Sequence, residues 1–241
     1  MSRSGDVDFG QKSGNIKNMN VLVIAPHPDD EVLGCGGTVK KYIEAGHDVY
    51  LCIMTKPLVP DWSQEYIDNK DKEIKASNDF MGFKETFFLD FPSLRMDTVP
   101  QKDLNDKLSE IINKVNPEIL IIPFNGDINH DHKVAFDACL VALRPKPGLV
   151  IKKVLAYEIS STTDLGKFKA EKIEDVFIPN YYEDISKFLD DKVKAMELYE
   201  SEIKEFPNPR SKKGIEVLAQ KRGTECGAEA AEAFMLIREI K

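Results

Sequence analysis

The chain has 241 residues, with 33 Lys and Arg against 41 Asp and Glu and a formal net charge of -8. An acidic balance without a block of basic residues excludes a general polyanion-binding surface, so nucleic acid is not an expected partner. No apolar stretch nears the roughly 20 residues that span a bilayer, so no transmembrane segment is expected.

Residues 1–18 are polar, rich in Gly, Ser and Asn, and read as an N-terminal extension ahead of one domain over residues 19–241. They lack the apolar core of a secretory signal. Residues 21–25 form a short continuous apolar run, as expected of a strand buried on both faces. A helix is predicted over residues 32–44, with Gly34, Gly36 and Gly37 early in it and Gly46 closing it. Strands over 48–55 and 86–89 flank an amphipathic helix over 62–81. A helix over 102–115 carries Leu104, Leu108, Ile111, Ile112 and Val115 on one face. A fourth strand over 118–123, a helix over 134–143 and a fifth strand over 153–157 follow. The C-terminal third predicts a long helix over 184–204, a break at Phe206 to Pro209 and a further helix over 212–221. Residues 230–240 fit helix and strand patterns equally. Strands alternating with helices predict an α/β, Rossmann-like fold: a mostly parallel sheet flanked by helices on both faces.

Cys35, Cys52, Cys139 and Cys226 lie far apart and form no C-x-x-C pair. Reduced thiols and a cytoplasmic protein are expected. The chemistry concentrates in two loops. His27 stands two residues past the first strand and Asp30 three residues on, where ligands of open α/β sheets bind. An imidazole and a carboxylate aimed at one point are a partial zinc set, with Asp29 between them free to act as a base. The same residues also fit a plain helix cap. The glycines that follow suit either close approach by a ligand or helix–strand packing; each costs about 1 kcal/mol against Ala in a helix. Past the fourth strand, a loop holds Asn129, His130, Asp131 and His132, so three of the four histidines follow strand ends. His132 with His27 and Asp30 completes a set that leaves a fourth position open for water, the pattern of a catalytic zinc. Asp131 is placed to fix a histidine tautomer. His47, in a turn, reads as a surface residue.

Pro26-His27-Pro28-Asp29-Asp30-Glu31, the glycines, and an Asp131-His132 pair about a hundred residues later resemble the PIG-L/LmbE-type zinc N-deacetylases. Tyr157-Glu158-Ile159-Ser160-Ser161, Pro209-Arg210-Ser211, Arg222-Gly223 and Ala231-Glu232-Ala233-Phe234 are similar to a bacterial branch. The resemblance implies a Rossmann-like fold, one zinc ion per chain and hydrolysis of an N-acetyl group on an amino sugar or sugar conjugate. It implies zinc ligands His27, Asp30 and His132, general base Asp29, and Asp131 as the acid supporting catalytic geometry. Many members carry a histidine three residues before the last ligand. That position is Asn129 here, an uncharged donor to an oxyanion, with His130 beside it as the other candidate.

Arg95, Arg210, Lys221 and Arg222 are candidates to bind an anionic group of the substrate, Arg210 foremost, and Trp62, Tyr66 and Tyr157 to stack on a sugar ring. Each also fits ordinary surface pairing or packing. The alternatives to an N-deacetylase are a zinc hydrolase of another amide or ester, and a non-catalytic module holding metal or nucleotide. Relatives are often multimeric, so a homo-oligomer is an expected assembly. Asp29, Asp30, Glu31, Asp127 and Asp131 are expected to gather around the dication.

Overall fold

The computed structural model describes residues 18–241. The predicted N-terminal extension lies, but for Asn18, outside the described residues. Elements follow in the order β1 (Asn20–Ala25), α1 (Asp30–Glu44), β2 (Asp48–Lys56), α2 (Gln64–Met81), β3 (Glu85–Pro92), α3 (Gln101–Val115) and β4 (Ile119–Pro123). Then come α4 (His130–Ala142), β5 (Lys153–Tyr157), the one-turn α5 (Thr163–Gly166), β6 (Tyr181–Asp184), α6 (Leu189–Glu197), α7 (Lys212–Cys226) and β7 (Ala231–Glu239).

The described strands make one seven-stranded sheet in the order β3-β2-β1-β4-β5-β7-β6. The first five are parallel, while β7 runs antiparallel to both β5 and β6. Period-2 alternation divides the core between the two faces. Val21, Val23 and Ala25 of β1 pack with residues of α1, α2, α6 and α7. Leu22 and Ile24 point the other way, against α3 and α4. In α3, the predicted stripe is buried at Leu104, Leu108, Ile112 and Val115, and Asn116 ends the helix in the left-handed region at φ 47°. No helix among the described residues is long and apolar enough to cross a membrane.

The C-terminal third differs from the expected long helix over 184–204. Residues 181–184 form an edge strand, and Asp184 turns the chain by accepting the Ser186 N–H at 2.9 Å. The helix is only Leu189–Glu197. Past it, Ser201 gives its N–H to Glu73 at 2.7 Å, a side-chain bond that replaces helical ones. The ambiguous segment over 230–240 is β7, whose alternate residues close both cores.

The chain leaves β1 toward β2 on one side, and β4 pairs on the other side. The loops after β1 and β4 therefore diverge, opening a crevice at their carboxyl ends. Gly34 and Gly37 of α1 serve packing. A Cβ on Gly34 would stand 2.2 Å from the ring of Tyr157, which is fully buried with its hydroxyl donated to the Ile24 carbonyl. On Gly36 it would meet nothing nearer than 3.4 Å. Gly34→Ala should therefore destabilise by about 1–3 kcal/mol through overpacking, with Gly36→Ala within about 1 kcal/mol of the unaltered protein. Urea denaturation of both checks this, and equal effects would contradict it.

Candidate metal centre

Three side chains converge in the crevice. His27 follows β1, Asp30 opens α1, and His132 lies in the first turn of α4. That helix begins at His130, four residues earlier than expected, because Asn129 caps it: Asn129 Oδ1 accepts the Asp131 N–H at 3.0 Å. His27 Nδ1 lies 3.3 Å from Asp30 Oδ2 and 3.3 Å from His132 Nε2, and the latter two atoms are 3.2 Å apart. Donors about 2.0–2.1 Å from a tetrahedral ion are separated by about 3.3 Å, so the triangle fits a small divalent cation with one position open.

Each imidazole has a carboxylate behind it. His27 Nε2 donates to Asp131 Oδ2 at 2.9 Å, which leaves Nδ1 for the metal side. Asp131 also accepts the N–H groups of Leu94 at 2.6 Å and Met96 at 3.1 Å, tying the loop after β3 to the centre. Leu94 reaches it at φ 59°, a strained backbone for an apolar residue. Asp127 Oδ2 lies 3.1 Å from His132 Nδ1 and accepts the hydroxyls of Thr162 and Thr163 at 2.7 and 2.8 Å. Such partners fix tautomer and ring orientation.

Asp29, Asp30, Glu31, Asp127 and Asp131 are all buried. Burial alone pulls His27 and His132 down. The surrounding carboxylates reverse this, Asp131 and Asp30 at His27 and Asp30 and Asp127 at His132, holding the pKa values at about 9 and about 10. Burial opposes ionisation of Asp30, and the two imidazoles overcome it, so its carboxyl sits far below the usual range. Asp127 and Asp131 are likewise lowered, burial being outweighed by the histidines and by N–H and O–H donors. The site is therefore a field that favours positive charge.

Asp29 occupies the cap position of α1 at φ 110° yet makes no capping bond. Its Oδ2 accepts from Arg210 Nη1 at 2.9 Å instead. Burial pushes its carboxyl well above the normal range, and Arg210 partly offsets this. Arg210 is held further by Ser161 Oγ at 3.1 Å and Glu202 at 3.4 Å. A cavity of about 210 Å³ opens here, lined by His27, Asp29, Trp62, Tyr66, Asn129 and Arg210 among others. A larger groove of about 790 Å³ runs between α2 and β3 and holds none of the three converging donors.

Other candidates fall elsewhere. His130 is exposed and lines a separate depression with Lys133 and Lys169, because successive helical residues point about 100° apart. Arg95 projects into solvent, paired with Asp61 at 2.6 Å, and does not line the cavity. Arg222 grips Glu158 with two bonds of 2.7 Å, and Lys221 pairs with Glu225. Tyr157 is core. His47 is half-buried, accepting the Met19 N–H at 3.4 Å. Sequence reading assigned no individual role to Asp127, Glu31 or Glu202; the one signal for Asp127 was an acid in the strand-to-helix loop before His132.

The profile of the family described as GlcNAc-PI de-N-acetylase, PIG-L, matches residues 22–143, just over half of the chain and both site loops. The chain belongs to the PIG-L family. The family and the curated relatives it matches are named for deacetylases, hydrolases of N-acetyl amide bonds. A curated relative, the diacetylchitobiose deacetylase of Thermococcus kodakarensis, is 26% identical over 77% of this chain and 70% of its own length. The probable N-acetyl-alpha-D-glucosaminyl L-malate deacetylase 2 of Bacillus cereus is 29% identical over 53% of this chain and 62% of its own. Among solved structures, the N,N'-diacetylchitobiose deacetylase of Pyrococcus horikoshii superposes with a TM-score of 0.72 at 22% identity, covering 92% of this chain and 84% of that one. The 4-carboxy-2-hydroxymuconate hydratase GalB of Pseudomonas putida KT2440 reaches 0.73 at 18% identity, over 92% and 98%. These structural likenesses establish the shared fold alone.

Purified protein should carry one divalent transition-metal ion per chain. His132→Ala should lose it, and Asp127→Asn should weaken binding about 10–100-fold. Elemental analysis and chelator competition measure both; full metal content in His132→Ala would contradict the assignment of the centre.

Proposed function

We propose that the chain is a zinc hydrolase that removes the N-acetyl group of an amino sugar or sugar conjugate, with His27, Asp30 and His132 as ligands and Asp29 as general base. The observation that carries this reading is the His-Asp-His triangle with one position open, beside a cavity that Asp29 also lines. The two imidazoles and one carboxylate are a donor set suited to zinc. Bound there, zinc supplies a lowered pKa for the attacking water and polarisation of the amide carbonyl.

The chain's own groups supply the rest. Asp29 Oδ2 is committed to Arg210, and among the described residues no hydrogen bond engages Oδ1. Oδ1 accepts the proton of the attacking water. The same oxygen then gives the proton to the departing amine, leaving acetate and a free amino sugar. Asn129 lines the cavity with its Oδ1 occupied by the Asp131 N–H, so its NH2 is the end free to donate to the developing oxyanion. Arg210 acts on Asp29, and because it also lines the cavity it remains the candidate to hold an anionic group of the substrate. Trp62 and Tyr66 form the cavity wall, placed to flank a sugar ring. A cytoplasmic setting suits Cys35, Cys52, Cys139 and Cys226, all free thiols.

A second reading, hydrolysis of another amide or an ester, uses the same centre. Acetate release from a panel of free, nucleotide-linked and lipid-linked N-acetyl sugars decides between them: the zinc-loaded protein should turn over at least one, and a panel-wide failure would remove the deacetylase assignment. Asp29→Ala should keep its zinc and lose about 10²–10⁴-fold in kcat, whereas loss of metal would mean that base and ligand are exchanged. Asn129→Ala should lower kcat at least tenfold, up to about 10²–10³-fold for a full oxyanion donor; an unchanged kcat would exclude that role.

A further inference from the structure

We propose that Glu31 is a positioning residue that holds Asp29 in its reactive orientation. Glu31 is fully buried. One carboxylate oxygen, Oε2, accepts the Asp29 N–H at 3.1 Å, and the other, Oε1, accepts the Tyr199 hydroxyl at 2.7 Å. Tyr199 is itself fully buried, so the carboxylate is anchored from the face of the sheet that carries α6.

The bond to Asp29 meets the backbone where it is most strained. Asp29 stands at φ 110°, a region non-glycine residues enter only when their surroundings over-determine it. Its carbonyl accepts the N–H groups of Val32 and Leu33 at 3.0 and 2.9 Å, which starts α1. With its N–H captured by Glu31 and its carbonyl by the helix, the peptide units on both sides of Asp29 are fixed. The side chain is thereby denied the usual capping position over the α1 N-terminus and turned to Arg210 and the cavity. A purely structural carboxylate in an apolar face would pair with a cation or reach solvent. Glu31 does neither: its carboxylate is held by neutral donors, one of them the Asp29 N–H.

The inference rests on Asp29 being the general base, so its test includes a readout that needs no substrate. Glu31→Leu keeps the volume and removes the acceptor. Its crystal structure should show Asp29 relaxed to negative φ and its hydrogen bond to Arg210 broken. Zinc content should be unchanged, and kcat lowered at least tenfold at unchanged KM. Glu31→Gln keeps both bonds, since the amide oxygen accepts the Asp29 N–H and the NH2 donates to Tyr199; it should hold φ near 110° and kcat within about threefold of the unaltered enzyme. Asp29 still at positive φ in Glu31→Leu, or a tenfold loss in Glu31→Gln, would overturn the proposal. Should Glu31→Leu not fold, amide exchange at Asp29 takes its place: protection in both the unaltered protein and Glu31→Gln supports the capture of this N–H, and rapid exchange in either overturns it. If the unaltered enzyme releases no acetate from any sugar, the deacetylase reading fails while the φ of Asp29 still decides the positioning role.

Discussion

Each imidazole of the centre has two nitrogens with opposite commitments, and the rest of the structure follows from that division. His27 gives Nε2 to Asp131 and keeps Nδ1 for the triangle; His132 sets Nδ1 against Asp127 and keeps Nε2. To satisfy both demands at once, the loops after β1 and β4 must face each other across a crevice, which the reversal of strand order between those neighbours provides. Asp131 and Asp127 are in turn held by the loop after β3 and by Thr162 and Thr163 after β5. The carboxyl ends of β1, β3, β4 and β5 are thus laced to one point.

That point is costly to build. Unpaired buried carboxylates are unfavourable by several kcal/mol each, and two non-glycine residues beside the centre, Asp29 and Leu94, sit at positive φ. Every one of the five acids around the centre has an identifiable compensation: imidazole for Asp30, Asp127 and Asp131, a guanidinium for Asp29, and neutral donors for Glu31. The apolar layers on both sheet faces carry the stability that lets the crevice keep this strain. A dication held by His27, Asp30 and His132 would complete the same arrangement, supplying the charge that the protonated imidazoles supply without it.

Much of this was legible in the residues. Continuous apolar runs mark β1, β2 and β4, and helical stripes mark α2 and α3, because both faces of the sheet are covered and both periods are clean. The four-residue β6 was not legible: its Tyr-Tyr-Glu-Asp sequence has no apolar alternation, and the stripe at 188–196 draws the predicted helix back to its last residue, Asp184. The convergence of His27, Asp30 and His132 was legible from loop position and residue type. In the supporting shell the bond of Asp131 to a histidine was legible too, whereas the roles of Glu31 and Arg210 were not, because they act through partners more than 160 residues away or through a backbone conformation that sequence does not encode visibly. His130 shows the same limit, since one helical step turns it out of the site that its neighbours share.

Anomalous diffraction from zinc-loaded crystals tests the central claim most directly. The account predicts one anomalous peak per chain, bonded to His27 Nδ1, Asp30 Oδ2 and His132 Nε2, with Asp131 still on His27 Nε2. A peak bonded through His27 Nε2, or seated away from this triangle, would contradict it.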